Sequence, residues 1–196
     1  MAILMTMDMP GGITEQYDRT NEILGIHGDA NAPEGLISHV CGVTDDGVLI
    51  IDVWDSEESL HRFFEEGLGA ALAEAGAPQA DPTVVPVHGI IPQGAGTEAN
   101  VIVITELPGF GTDAYDAIVA NMDSHGGAGE NHPCVSHVAG VTDDGLLIVD
   151  LWESPEAFAA FAQGELADAA PADMGPVEPR FVPVHNRIRG KAPAAA

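Results

Sequence analysis

Residues 38–54, SHVCGVTDDGVLIIDVW, return at 136–152 as SHVAGVTDDGLLIVDLW. Four of the 17 positions differ, each by a small apolar change, and the offset is 98 residues. The same offset aligns Pro10-Gly11 with Pro108-Gly109, Tyr17-Asp18 with Tyr115-Asp116, and His27-Gly28 with His125-Gly126. After a one-residue gap, Val85-Pro86-Val87-His88 meets Val182-Pro183-Val184-His185. So many matches in one register make the chain a tandem duplication, with too few copies for a stacked solenoid. The reading is two similar domains, 1–92 and 101–190. The polar segment PQGAGTEAN supplies a linker at 93–100, and 191–196 forms a flexible tail.

Each copy alternates apolar runs with breakers. Residues 2–8 form an apolar run of strand length that ends at Pro10-Gly11-Gly12. Thr14 has the chemistry of an N-cap, and with Glu15 in the first turn it predicts a helix to about Leu24. Residues 36–43 and 47–54 read as strands around Asp45-Asp46-Gly47, a hairpin signal. Ser56 caps a second helix with an apolar face of Leu60, Phe63, Phe64 and Leu68; its counterpart Ser154 precedes Pro155, suited to a first helical position. A last strand follows from about 83 to 90. The order βαββαβ is the ferredoxin-like split pattern, and the fold class is α+β. Both helices of such a unit cover one face of its sheet. The other face is left bare, and a second copy of the sheet covers it well. The expectation is an intrachain pseudo-dimer packed sheet to sheet, with a cavity between the sheets.

The strings Val53-Trp54-Asp55-Ser56-Glu57-Glu58 and Leu151-Trp152-Glu153-Ser154-Pro155-Glu156 carry a resemblance. The chain resembles the antibiotic-biosynthesis monooxygenase-like branch of the dimeric α/β-barrel superfamily, whose members place a strand-end Trp before a helix-capping Ser. The resemblance implies two ferredoxin-like repeats forming an intrachain dimeric α/β-barrel. It also implies an activity among cofactor-independent monooxygenases, polyketide cyclases and isomerases, heme-degrading oxygenases, or proteins without catalysis. Fold alone does not choose among these. Heme-degrading members carry a Trp nine residues after the strand-end Trp, and a His ten residues further on. Here those positions hold Phe63 and Ala73; in the second copy Phe161 stands first and no His follows in that helix. Heme degradation is therefore disfavoured, and no cofactor is expected.

Strand alternation sorts the polar residues. His39 shares a strand face with Ile37 and Cys41, and Asp52 shares one with Ile50 and Trp54. Leu49, Ile51 and Val53 make a wholly apolar face that suits the helix layer, so the mixed face points into the cavity between the sheets. His39 and Asp52, with their repeats His137 and Asp150, are the catalytic candidates. A His beside a carboxylate in an apolar cavity is a plausible general base. Trp54, His88, Trp152 and His185 are candidates for lining the substrate cavity, and Tyr17 and Tyr115 for closing its rims. A metal would need His39, Asp52 and His88 to converge without any HxH or HExxH spacing, so no metal is expected.

Composition narrows the partners. Six Lys and Arg against 31 Asp and Glu give a net charge of −25. No basic patch exists to neutralise phosphates, which excludes nucleic acid and anionic membrane as partners. The ligand is expected to be a hydrophobic small molecule, neutral rather than anionic. Cys41 and Cys134 form no metal or redox motif, and the N-terminus has no basic region before its apolar run; both fit a cytoplasmic protein. The leading function is a cofactor-independent monooxygenase for an aromatic or polyketide-like substrate. The alternatives are a cyclase or isomerase of the same fold, or a non-enzymatic binding or stress-related barrel. A homo-oligomer of such chains is left open.

Overall fold

The structure is a computed structural model and describes residues 1–91, 98–124, 133–171, 174 and 177–190. Most of the expected linker (93–97), the tail 191–196 and His125 lie outside the described residues. The chain divides into two compact units. One is Met1–Pro86 together with the last strand from Pro183 onward; the other is Val87–Val182.

The first unit is built from β1 (Ile3–Pro10), α1 (Thr14–Leu24), β2 (Leu36–Val43), β3 (Gly47–Trp54), α2 (Glu57–Phe63), α3 (Gly69–Ala75) and the start of β4 (Thr83–Ile91). The second repeats the order with β5 (Val101–Pro108), α4 (Thr112–Ser124), β6 (Cys134–Val141), β7 (Gly145–Trp152), α5 (Pro155–Gln163), α6 (Glu165–Ala169) and β8 (Arg180–Arg189). The strands hydrogen-bond in the order β1-β3-β2-β8-β5-β7-β6-β4, which closes on itself. This is the α+β, ferredoxin-like barrel ladder that the βαββαβ order implies. The last strand of each repeat serves both units. Residues 83–86 of β4 pair with β1, and 87–91 pair with β6. In β8 the residues from Val184 onward pair with β2.

Local chemistry explains the elements. The Ser56 hydroxyl accepts from the Ser59 amide at 3.2 Å, and the Ser154 hydroxyl accepts from the Ala157 amide at 3.1 Å, with Pro155 in the first turn. Thr14 is not the cap of α1. Ile13 holds that position, and its amide donates to Gln16 Oε1 at 3.2 Å, so a side chain from the first turn satisfies the N-cap amide. The second helix is also shorter than its apolar stripe suggests. Gly67 takes a φ of 141°, open only to glycine at low cost, and separates α2 from α3. Leu60, Phe63, Phe64 and Leu72 still reach one core, joined by Met5, Met7, Met9, Tyr17, Leu36, Cys41, Ile50 and Trp54.

That core corrects the assignment of sheet faces. Asp52, Trp54, His39 and the β1 methionines face the helices, beside Tyr17, Phe63, Phe64 and Leu72. Leu49, Ile51 and Val53 occupy the opposite face of β3 and are buried there. Hydrophobicity alone pointed the other way. The mixed face is tolerated under the helices because its polar atoms are hydrogen-bonded. Among the described residues no helix is long and apolar enough to cross a membrane.

Candidate functional site

The site of the first unit starts from a strand register. His39 and Asp52 are direct antiparallel partners on β2 and β3. Direct pairing brings the His39 Nδ1 to 2.6 Å from Asp52 Oδ1. The second carboxylate oxygen accepts from the Trp54 indole N–H at 3.3 Å. Asp52 is only 5% exposed, so these donors replace its water. An ionised carboxylate can only accept, so a neutral imidazole beside it carries its proton on Nδ1 and leaves Nε2 an acceptor. The Tyr17 hydroxyl, on α1, lies 2.7 Å from that Nε2 and donates to it. The phenol stacks along the imidazole at 5.7 Å with planes 7° apart.

Two β-bulges complete the site. In β2 the register slips between Leu36 and Ser38, so Leu36 joins the face of His39 and Ile37 leaves it. In β8 the slip falls between the partners of Cys41 and Gly42, at His185. Asn186 then stands opposite Cys41, and Ile188 opposite His39, on the face that looks toward α1. The Asn186 amide donates to the Tyr17 hydroxyl oxygen at 2.8 Å. Its carbonyl oxygen accepts from the Arg187 backbone amide at 2.8 Å, which fixes the side chain's orientation.

This chain of hydrogen bonds ends on a cavity. Its walls are apolar over most of their extent, with Met5, Met7, Met9, Leu36, Trp54 and Phe63 prominent, and the polar exceptions include Tyr17, His39 and Asp52. About 70 Å³ is open to the centre of a water-sized sphere. Adding the water radius to a compact void of that size gives on the order of 250 Å³. That is near the lower end of small-molecule sites, and it suits one or two fused rings.

The second unit repeats the core of the constellation. His137 Nδ1 is 2.6 Å from Asp150 Oδ1, and Tyr115 Oη is 2.8 Å from His137 Nε2. Its surroundings differ. Met5, Met7, Asn21 and Leu72 correspond to Val103, Thr105, Val119 and Ala170. Asn186 corresponds to Gly89, and a Cβ there would lie 2.8 Å from the Tyr115 hydroxyl, so a side chain at this position would require Tyr115 to shift.

Burial pushes the Tyr17 hydroxyl well above the usual phenol range, although the amides of Asn186 and Asn21 oppose this by favouring the anion. Burial likewise pushes Tyr115 up to about 12, helped by the nearby Asp150 charge. For His137, burial works against the charged ring, but the charge and hydrogen bond of Asp150 prevail and hold it above the ordinary imidazole value.

His39, Asp52, Trp54 and Tyr17 therefore come together, as do His137, Asp150 and Tyr115 in the second unit. Tyr17 and Tyr115 do not sit at rims; both are buried and hydrogen-bonded to the histidine of their unit. The last-strand histidines change places. His185, not His88, joins the first unit, where its ring meets Tyr17 edge-on and its Nε2 is 2.9 Å from Asp18 Oδ1. His88 joins the second, against Tyr115 and 2.8 Å from Asp116 Oδ1. His39, Asp52 and His88 accordingly do not converge. Among the described residues no group of three His, Cys, Asp or Glu could hold a metal ion. Asn186 is the site residue that sequence reasoning missed. Its signal was the one place in the aligned last strands where an amide faces a glycine.

No family model and no curated protein matches the chain. Solved structures do resemble it in fold. A provisionally named monooxygenase from Lactobacillus acidophilus superposes with a TM-score of 0.66 at 13% identity, covering 96% of each chain. A monooxygenase-like protein from Listeria innocua gives 0.51 at 12%, covering 93% of this chain and 92% of that one. A mutant chlorite dismutase from Candidatus Nitrospira defluvii gives 0.56 at 7%, covering 94% and 92%. At these identities the likeness shows the fold alone.

Proposed function

We propose that the first unit is the active site of a cofactor-independent monooxygenase for a neutral aromatic or polyketide-like substrate. The observation that carries this reading is the Asp52–His39–Tyr17 chain ending on an apolar cavity. His39 is the base and reaches the substrate through Tyr17, because the phenol occupies its Nε2. A proton leaving an acidic O–H or C–H of the substrate is taken up at the Tyr17 oxygen as the Tyr17 proton passes to Nε2. Asp52 stabilises the imidazolium that forms, and the apolar walls leave the substrate anion unsolvated and reactive. For a phenol or naphthol with a hydrogen on the para ring carbon, that anion and O2 give a quinone and water. The balance closes without an external reductant.

The size of the cavity supports a ligand of one or two rings, and its scarcity of cations supports a neutral one. The reading includes a reducing, cytoplasmic setting, consistent with two cysteines that form no redox or metal motif in the sequence. It takes 1–92 and 101–190 as two copies of one ancestral unit, supported by the 98-residue offset. The test is oxygen uptake with a panel of naphthols, phenols and anthrone-like compounds. His39→Ala and Tyr17→Phe are expected to lose about 10²–10⁴-fold in rate. Equal rates for wild type and both variants would remove His39 from the reaction, and no uptake with any member of the panel by wild type would remove the oxygenase reading.

A further inference from the structure

With Asp52 ionised and His39 neutral, the hydrogen bonds around Tyr17 run in one direction. At one end Asp52 is an acceptor only, so His39 carries its proton on Nδ1 and offers Nε2 as an acceptor. At the other end the Arg187 backbone amide is a donor only, so Asn186 turns its oxygen toward it and its NH2 toward Tyr17. The Tyr17 oxygen therefore gives its one proton to His39 and receives a donor from Asn186. A ligand that meets this oxygen in the neutral site must itself donate.

We infer that Asn186 is a positioning residue that keeps Tyr17 a proton relay between ligand and His39, and that the ligand of the first unit is an O–H acid, a phenol or an enol. The inference rests on the reading of His39 as base and extends it to the ligand's chemistry and to the choice of unit. In the step, the ligand O–H bond breaks and a new Tyr17 O–H bond forms. The former Tyr17 proton bonds to His39 Nε2. The ligand becomes an anion, and the imidazolium faces Asp52. After transfer the Tyr17 oxygen accepts from both His39 and Asn186, and its proton has no other acceptor than the ligand anion. Asn186 cannot take that proton in either state, so none is lost along a side path. In the second unit the counterparts of Asn186 and Asn21 are Gly89 and Val119, and neither side chain can donate to Tyr115. Relay activity accordingly belongs to the first unit.

The experiment uses the full chain without oxygen, with 4-nitrophenol as an O–H probe whose phenolate is coloured and 4-nitroanisole as its blocked analogue. Wild type is expected to bind 4-nitrophenol at least tenfold more tightly. Asn186→Leu removes the donor at similar volume, and Asn186→Asp replaces it with an acceptor that draws the Tyr17 proton away from His39. Both are expected to raise the ionisation midpoint of bound probe by a pH unit or more, the Asp variant most. His39→Gln is expected to abolish ionisation in the cavity over the same range. Wild-type ionisation in both Asn186 variants, with loss in His39→Gln, overturns the role of Asn186 while the base reading stands. Equal ionisation in His39→Gln overturns the base reading and this inference together. Equal affinity for the two probes, or no binding of either, overturns the O–H acid ligand.

Discussion

Replacing Asp52 with Asn exchanges one carboxylate oxygen for an NH2 group, yet the geometry leaves the amide no harmless orientation. In the wild type one carboxylate oxygen takes the His39 Nδ1 proton at 2.6 Å and the other takes the Trp54 indole proton at 3.3 Å. If the new amide turns its oxygen to the indole, its NH2 faces Nδ1. The imidazole must then move its proton to Nε2, which already faces the Tyr17 hydroxyl at 2.7 Å. The Tyr17 oxygen would meet donors from His39 and Asn186, and its own proton would lose its acceptor. If the amide turns the other way, the NH2 opposes an indole N–H on a Trp that is 0% exposed. Either choice leaves a buried donor unsatisfied, at a cost of about 1–3 kcal/mol. For a chain of this length that lowers Tm by roughly 2–12 °C. Loss of the correct tautomer is expected to slow substrate oxidation by about 10²–10⁴-fold. Nitrogen-15 NMR of the histidine rings reads the tautomer, a thermal melt reads the stability, and oxygen uptake reads the rate. A variant that keeps the Nδ1–H form, melts with the wild type and turns over at the wild-type rate would refute this account of the site.

Three further outcomes are expected. Leu60, only 2% exposed under the first sheet, should cost about 2–5 kcal/mol when cut to Ala, read by urea denaturation; a loss under 1 kcal/mol would show that the core of the first unit closes around the gap. The His137–Asp150 pair holds the imidazole above its ordinary value, so its contribution to stability is complete below about pH 6.5 and fades as pH rises through the folded value. The stability gap between wild type and Asp150→Asn should therefore narrow from pH 6 to pH 9.5, and a gap independent of pH counts against the charged pair. Burial pushes the Cys41 thiol up to about 12 and raises Cys134 as well. Both should resist iodoacetamide in native protein at pH 8 and react in urea; native labelling of Cys41 at the rate of a free thiol would contradict its burial.

The sequence by itself determined the duplication, the order βαββαβ and the pairing of His39 with Asp52. These follow from short-range causes. Apolar runs of strand length, Ser56 and Ser154 as caps, and an Asp-Asp-Gly turn each act within a few residues, and the hairpin sets the β2–β3 register. The capping of α1 through Gln16 and the break at Gly67 were already less legible, because each depends on a local alternative that propensity does not rank. Which face of the sheet meets the helices was decided only by tertiary structure. A mixed face can be buried once Tyr17, Trp54 and the carboxylate satisfy one another, and alternation does not reveal those partners. The last strands show the same limit more sharply. Strict alternation groups His185 with Pro183, but the bulge at His185 resets the register and turns Asn186 toward Tyr17. The bulge in β4, between Val87 and Gly89, likewise sends His88 to Tyr115. A bulge is one extra residue accommodated where two distant strands meet, so its place is set by that pairing, and the final identity of the site waited on it.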